Sequence, residues 1–390
     1  MNKIAIVSCY FQPNYGSMLQ AYATQEILNQ LEVPNETINI EGLRGETKKA
    51  KMNYFMSRIF SWDVIQDKLG YVKIAFEKKK NKELAGNISK RNQLFDEFSK
   101  RVFNVSEQYS SLKQLGEASK KYSAFLVGSD QLWLPSNIAA DYYTLNFVDP
   151  SVRKISYATS FGVSALPKKQ ADMAKQFLPK INYLSVREKS GQKLIKSLTG
   201  LDAELVCDPT LLLTRQQWDN LIENERIIKE PYIFCYFLGD NQLSRKCAAA
   251  LRKKTGYKIV ALQQIDMFIK SDEGFADIAP YDIDPAGFVN LIRNAEFVCT
   301  DSFHGTVFSI INQKQFYTFR RFVEHTTMST NSRIDSLLSV LGLEHRIINS
   351  QDEFKNQRSV SISYDSVDEE LSSFRKKSIC FLKKSIEDLE

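Results

Sequence analysis

Ser302-Phe303-His304-Gly305 is the stretch of this chain best placed to do chemistry. An apolar run, Ala295–Cys299, precedes it and reads as a buried parallel strand. The polar residues Thr300, Asp301 and Ser302 suit the exit from a strand and the cap of a helix. Apolar positions 307, 308, 310 and 311 then fit a helix lying on a sheet. His304 therefore stands where a strand ends and a helix begins, the edge at which open α/β sheets bind ligands. Helix N-termini at that edge favour anions, and Gly305 lets backbone approach a ligand closely. An imidazole titrates near neutrality and can give a proton or take one. His304 is one of only three histidines. The plainer alternative is that it bonds a neighbouring carbonyl and shapes the turn.

Other strand ends carry further polar groups. Tyr122–Val127 leads into Gly128-Ser129-Asp130-Gln131-Leu132-Trp133, where an indole can stack on a sugar ring while Asp130 and Gln131 bond hydroxyls. Lys154–Ala158 leads into Thr159-Ser160-Phe161-Gly162. Ile181–Val186 leads into Arg187, placed for a two-pronged grip on carboxylate or phosphate, or for an ion pair with a nearby acid. The first strand, Lys3–Cys9, leads into Gln12-Pro13-Asn14-Tyr15-Gly16-Ser17, a polar turn in which Gly16 can take positive φ. That turn can hold an anion or a sugar, although it is not a GxGxxG loop; a well-capped helix start explains it equally. Arg320, Arg321, Asn331, Ser332 and Arg333 follow the last strand, Phe316–Phe319.

The elements that position these groups form two α/β series. The first runs from Lys3 through a helix with Met18, Leu19, Tyr22, Ala23, Ile27 and Leu28 on one face, then a strand over Val33–Ile40. Residues 44–120 break that rhythm and read as a helical insertion, with Met52, Phe55, Met56, Ile59 and Phe60 at helical spacing. The second series begins at Tyr232 and includes a helix over Gln242–Thr255, a strand over Lys258–Leu262 and a helix over Pro285–Asn294. A helix over Ile334–Leu341 is closed by Gly342, and Val367–Leu389 forms a last helix able to lie back on the first domain. The expected division is 1–204, 205–350 and a tail at 351–390.

A chain of 390 residues is too long for one core. The composition, 43% hydrophobic and 25% charged, is that of a globular protein. No apolar run approaches the roughly 18 residues that span a bilayer. Met1–Val7 reads as a strand rather than a leader, because Ser8, Gln12 and Asn14 cut the apolar stretch short. The six cysteines are scattered without CxxC pairs, which suits reduced thiols in the cytoplasm rather than disulfides or zinc. The net charge of +6 is concentrated: residues 44–101 hold fifteen Lys or Arg against seven Asp or Glu. A basic, aromatic helix there could touch an anionic membrane surface at the inner face; a packed helix with a solvated lysine flank is the simpler account. No nucleic-acid module accompanies the charge, so no nucleic-acid partner is expected.

Taken in order, these motifs resemble the polysaccharide pyruvyl transferase family: Asn14-Tyr15-Gly16-Ser17-Met18-Leu19-Gln20-Ala21, Gly128 to Trp133, Ser185-Val186-Arg187-Glu188, Asp208-Pro209-Thr210-Leu211-Leu212-Leu213, Ser302 to Gly305, and Asn331-Ser332-Arg333-Ile334 with Leu341-Gly342-Leu343. The likeness covers about Tyr10 to Arg346 and leaves the insertion and tail without inheritance. It implies two Rossmann-like domains facing across a cleft, similar to GT-B glycosyltransferases. It also implies transfer of pyruvate from phosphoenolpyruvate to a pair of sugar hydroxyls, with a glycan or lipid-linked oligosaccharide as acceptor. The family's important histidine matches His304, and a donor-site arginine matches Arg187. Lys314, Arg320, Arg321 and Arg333 compete for a later basic position. Asp130 is a candidate base for the acceptor. The expected substrate-binding set is Asn14, Tyr15, Gly16, Gln20, Ser129, Gln131 and Trp133 with Ser160, Arg187, Ser302, Gly305, Arg320 and Arg333. No metal or cofactor is expected beyond the donor. The rivals are a GT-B glycosyltransferase using a nucleotide sugar and a non-catalytic relative.

Overall fold

The structure, a computed structural model, describes residues 3–56, 74, 76, 79–223, 225–321 and 332–387. Apolar runs at the start of each half form strands buried on both faces, as parallel sheets require. Seven strands make the first sheet: β1 (Ile4–Val7), β2 (Asn35–Asn39), β3 (Val105–Gln108), β4 (Ala124–Val127), β5 (Arg153–Thr159), β6 (Tyr183–Val186) and β7 (Glu204–Leu205). Their order is β3-β2-β1-β4-β5-β6-β7, and every pairing is parallel. The second sheet has β8 (Tyr232–Tyr236), β9 (Lys258–Ala261), β10 (Phe297–Thr300), β11 (Gln315–Phe319) and β12 (Ile347–Ile348) in the parallel order β12-β11-β10-β8-β9. The strand order reverses between β1 and β4 in one sheet and between β10 and β8 in the other. Each reversal leaves a crevice beyond the strands' carboxyl ends, where ligands bind in such sheets.

Helix α1 (Tyr15–Gln30) starts on an Asn14 cap, whose side-chain oxygen accepts from the Ser17 amide at 3.1 Å. It also ties the halves together. Tyr15 stacks on Phe288 at 4.8 Å and donates its hydroxyl to the Ile283 carbonyl. One apolar cluster runs from Ile6 and Leu126 of the first sheet through Leu19 to Val298 of the second sheet and Phe308 of the helix that follows it.

The segment after β2 contains α2 (Arg44–Met56) and α3 (Lys82–Val102). It is not helical throughout, because Val105–Gln108 pairs with β2 as an edge strand. Ile59 and Phe60 of the expected amphipathic helix lie outside the described residues. Helix α3 reaches the second half: the buried Arg91 donates to the carbonyls of Tyr281, Gln263 and Pro280 at 3.1, 2.7 and 2.7 Å. Helices α4 (Pro285–Asn294), α5 (Phe303–Ile311) and α6 (Ser332–Val340) flank the second sheet. The last helix, α7 (Tyr364–Glu387), returns to the first sheet, where Phe381 meets Tyr157 and Tyr183, and Ser378 accepts from the Cys207 amide. Five of the six cysteines are buried and all are free thiols. Among the described residues no helix is long and apolar enough to cross a membrane.

Candidate active site

A pocket of about 330 Å³ opens where the two switch points meet, a volume that suits a small ligand. The first half contributes Asn14 and Ser17 from the start of α1, Asp130 and Gln131 from beyond β4, and Lys51 and Phe55 from α2. The second half contributes Ser302, Phe303 and His304 at the start of α5, with Arg321 and Arg333. The N-termini of α1 and α5 both end in this pocket, so two helix dipoles favour negative charge there.

Local bonding fixes His304. Beyond β10, Asp301 accepts from the amides of Leu238 and Gly239 at 2.7 and 2.9 Å, which ties the β10 exit to the β8 exit. Ser302 caps α5 by accepting from the Gly305 amide at 3.3 Å. His304 then falls on the first turn, against the first turn of α1. A Cβ on Gly16 would come within 2.0 Å of His304 Nδ1, so only glycine leaves room for the ring. Gly16 sits inside α1 and does not use the positive φ open to a glycine. Gly305 also works differently from the expectation. Its absent Cβ faces Thr300 Oγ1, 2.4 Å from where the atom would be, so it permits helix-to-strand packing rather than ligand approach.

Behind the histidine lies a buried charge cluster. Asp208, fully buried, accepts from Arg187 Nη1 at 2.6 Å, Ser129 Oγ at 2.7 Å and Thr210 Oγ1 at 2.6 Å. His304 Nε2 is 3.6 Å from its Oδ2. Burial alone would raise the Asp208 carboxyl, but His304 and Arg187 outweigh it and hold the group far below the usual carboxylate range. Arg187 also reaches Asp130 Oδ1 at 3.4 Å, and its guanidinium lies 4.5 Å from the Phe303 ring centroid. Asp130 accepts from Ser17 Oγ at 2.5 Å. Its backbone is strained at φ +83°, the kind of conformation that accumulates at functional sites. Burial raises the Asp130 carboxyl, yet Arg187 and then His304 bring it below its ordinary value. Held ionised and already bonded, it is a weak base. Arg333 has the opposite balance: burial, then the neighbouring Arg187 cation, push it down to about 9. The Asp130 and Glu188 carboxylates act the other way and are outweighed.

The sequence matches the polysaccharide pyruvyl transferase family over residues 14–321. The chain belongs to that family. It is accordingly an enzyme of the glycan pyruvyltransferase kind. No curated protein matches it significantly. Solved structures share the fold: UDP-N-acetylglucosamine 2-epimerase from Rickettsia bellii aligns with TM-score 0.53 at 8% identity, over 100% of this chain and 98% of that one. The MnaA–UDP structure from S. aureus aligns with TM-score 0.51 at 10% identity, over 99% and 97%. The epimerase from Methanocaldococcus jannaschii gives 0.51 at 10%, over 94% of each chain. These likenesses establish a GT-B-like architecture of two facing Rossmann-like units and nothing about substrate.

For a pyruvyl transferase of this family, the pocket sorts the expected residues. Asn14, Asp130, Gln131, Ser302, His304 and Arg333 line it, and Gly16 backs the histidine. Arg187 does not line it; the ion pair weighed as its alternative role is what it forms, with Ser129 as a further partner. Trp133 is fully buried between Phe161 and Phe177 and donates its indole N–H to the Tyr143 carbonyl, so it offers no face to a sugar. Tyr15 points into the junction between the halves. Gln20 donates back to the Ser17 carbonyl inside its own helix. Ser160 accepts from the Gly162 amide at 3.0 Å. Arg320 turns away to Asp335 and Asn349, and Lys314 does not line the pocket; its neighbouring charges are Glu296, Arg215, Arg226 and Arg293. Of the four competing cations, Arg321 and Arg333 line the cavity. The set read from sequence omitted Ser17, Lys51, Phe55 and Asp208. Asp208 had a signal in its own motif, Asp-Pro-Thr, where Asp208 caps a turn by accepting from the Thr210 amide.

Proposed function

We propose that this pocket binds phosphoenolpyruvate and transfers its pyruvate to two hydroxyls of a sugar, giving a cyclic ketal and inorganic phosphate. The observation that carries the reading is one cavity holding an imidazole and two arginines at two converging helix N-termini. The donor bears a carboxylate and a phosphate on three carbons, and forked cations suit both groups. Arg321 and Arg333 take these charges, while Arg187 keeps Asp208 and Asp130 in place behind the ring.

His304 delivers a proton to the donor's methylene carbon, which leaves a cation-like centre at C2. The first sugar hydroxyl adds to C2 and gives up its proton. Phosphate then departs with the C2–O bond electrons, and the second hydroxyl closes the ring. Two acceptor protons are released; one replaces the proton spent on the methyl group and one leaves with phosphate. Asp208, 3.6 Å from the imidazole Nε2, stands where a carboxylate can orient an acid–base histidine. The reaction as written draws on phosphoenolpyruvate alone and calls for no cofactor. A glycan or its lipid-linked precursor is the acceptor, and the cytoplasm, which supplies the donor, is the expected compartment.

The test is incubation of the protein with phosphoenolpyruvate and cell-derived lipid-linked sugars. The expected result is one pyruvate ketal added per phosphate released. Turnover of a nucleotide sugar, with no loss of phosphoenolpyruvate, would overturn the reading in favour of a glycosyltransferase.

A further inference from the structure

The motifs that carry the family likeness skip the segment holding α2, so the likeness gives no role to any residue on that helix. The start of α2 is tied down. The Leu112 amide donates to Glu46 at 3.1 Å, and Arg44 lies 5.1 Å from the Phe11 ring centroid. Arg44, Thr47, Lys48 and Lys51 then share one face, at the spacing of successive helical turns, and line a groove beside the donor pocket. Of these four, only Lys51 also lines the donor pocket itself. It therefore stands at the opening between the pocket and the groove. Lys51 is half-buried and pairs with no carboxylate among the described residues. Burial pushes its ammonium below the usual lysine value, with the Cys9 thiol acting the other way.

A cation drawn partly out of water ordinarily has a partner. Asp130 lines the same pocket, but Ser17 and Arg187 already hold its two oxygens. The partner that remains is a ligand. Near neutrality phosphoenolpyruvate carries about three negative charges, one on its carboxylate and about two on its phosphate. Arg321 and Arg333 leave about one of these unmatched, and Lys51 is the other permanent cation lining the cavity among the described residues. The carboxylate stays with the product, whereas the phosphate leaves. A cation at the opening faces the group that leaves, and a lysine serves phosphate as a point charge without fixing its orientation.

We infer that Lys51 is a phosphate ligand of the donor site, supplied by α2 of the first half while Arg321 and Arg333 come from the second. It stays protonated and offsets the negative charge that phosphate gains as it leaves with the C2–O bond electrons. The inference rests on the reading of this pocket as a phosphoenolpyruvate site, and binding measurements separate the two.

The experiment is calorimetric titration of the full chain with phosphoenolpyruvate, inorganic phosphate and pyruvate in turn. Wild type is compared with Lys51→Met, Lys51→Arg and, as a control on the same helix face, Lys48→Met; circular dichroism checks the fold. Lys51→Met should weaken phosphoenolpyruvate and inorganic phosphate by about ten- to a hundredfold and leave pyruvate within about twofold. Lys51→Arg keeps the charge and should hold both phosphate-bearing ligands within about fivefold. Lys48→Met should alter none of the three. Unchanged phosphate and phosphoenolpyruvate affinities in Lys51→Met overturn the inference, while tight wild-type binding of phosphoenolpyruvate then leaves the donor reading standing. A loss in Lys51→Arg or Lys48→Met as large as that in Lys51→Met overturns it too, because the effect would not belong to this one charge. Equal losses for pyruvate and phosphate overturn the phosphate assignment. If phosphate binding depends on Lys51 and phosphoenolpyruvate binds no better than phosphate, the lysine's role stands and the donor reading falls.

Discussion

Arg187 and Arg333 both lie over Phe303, 4.5 and 5.6 Å from its ring centroid, and both are buried. Arg187 comes from the end of β6 and is held by two carboxylates of the first half. Arg333 comes from α6 in the second half and lines the open cavity. The same side chain is thus scaffold on one wall and ligand-facing on the other. Burial cannot tell these roles apart, since removing either cation from water is costly. The difference lies in placement: Arg187 faces inward to Asp208 and Asp130, while Arg333 lines the pocket.

Substitutions can break or sharpen that contrast. The largest expected effect is at His304, where the walls meet. His304→Ala should lower kcat by about two to four orders of magnitude, the usual range for a lost acid–base group, with an unchanged fold by circular dichroism. A rate within a few-fold of wild type would remove the histidine from the chemistry. Next is the first wall. Arg187→Met strands Asp208 without its cation and should cost about 3–5 kcal/mol in denaturant unfolding. If it alters only the donor KM and leaves stability intact, the scaffold assignment is wrong.

The same wall has a pH signature. The Asp208 carboxyl is depressed in the folded state, so its contribution is complete above its unfolded value near ~3.9 and is lost as pH falls below it. Asp208→Asn should therefore be destabilising at neutral pH and flatten the acid limb of the stability curve; an unaltered limb would count against the pairing. On the second wall, Arg333→Met should raise the donor KM by about ten- to a hundredfold, the worth of one charge-assisted contact of about 1.5–3 kcal/mol. Phosphoenolpyruvate, the proposed donor, should raise the Tm of wild type and raise it less in this variant. A full Tm shift in this variant would place the donor elsewhere. The smallest effect is at Trp133, which belongs to neither wall. Trp133→Phe should leave the acceptor KM within about twofold and cost about 1 kcal/mol through the lost indole bond. A large loss of acceptor binding would restore the sugar-stacking role.

Local signals account for what was legible. Strands such as Ile4–Val7 and Ala124–Val127 are buried on both faces and so read as unbroken apolar runs. The helices over Gln242–Thr255 and Pro285–Asn294 have the limits expected, because Asn241, Gly256 and Asp284 write their ends into the chain. Strand β3, with the sequence Val-Ser-Glu-Gln, was missed: it is an edge strand with two exposed residues, and its stability comes from pairing with β2. Arg320 and Arg321 are adjacent in the chain, and leaving β11 they diverge, one to Asp335 and the other to the cavity. Side chains alternate along a strand, but where alternation ends in a loop the sequence does not say which faces the cleft.

The sequence alone determined the two α/β series, the capped turns that follow their strands, and the family to which these turns belong. Those features rest on periodicity and capping, which act over a few residues. Only the tertiary structure decided which charges neutralise one another. Arg187 meets Asp208 and Asp130 across separations of 21 and 57 residues, which depends on β6 lying beside β7 and two places from β4 in one sheet. Electrostatic energy depends on distance in space and on burial, and neither is written in the local pattern of a chain.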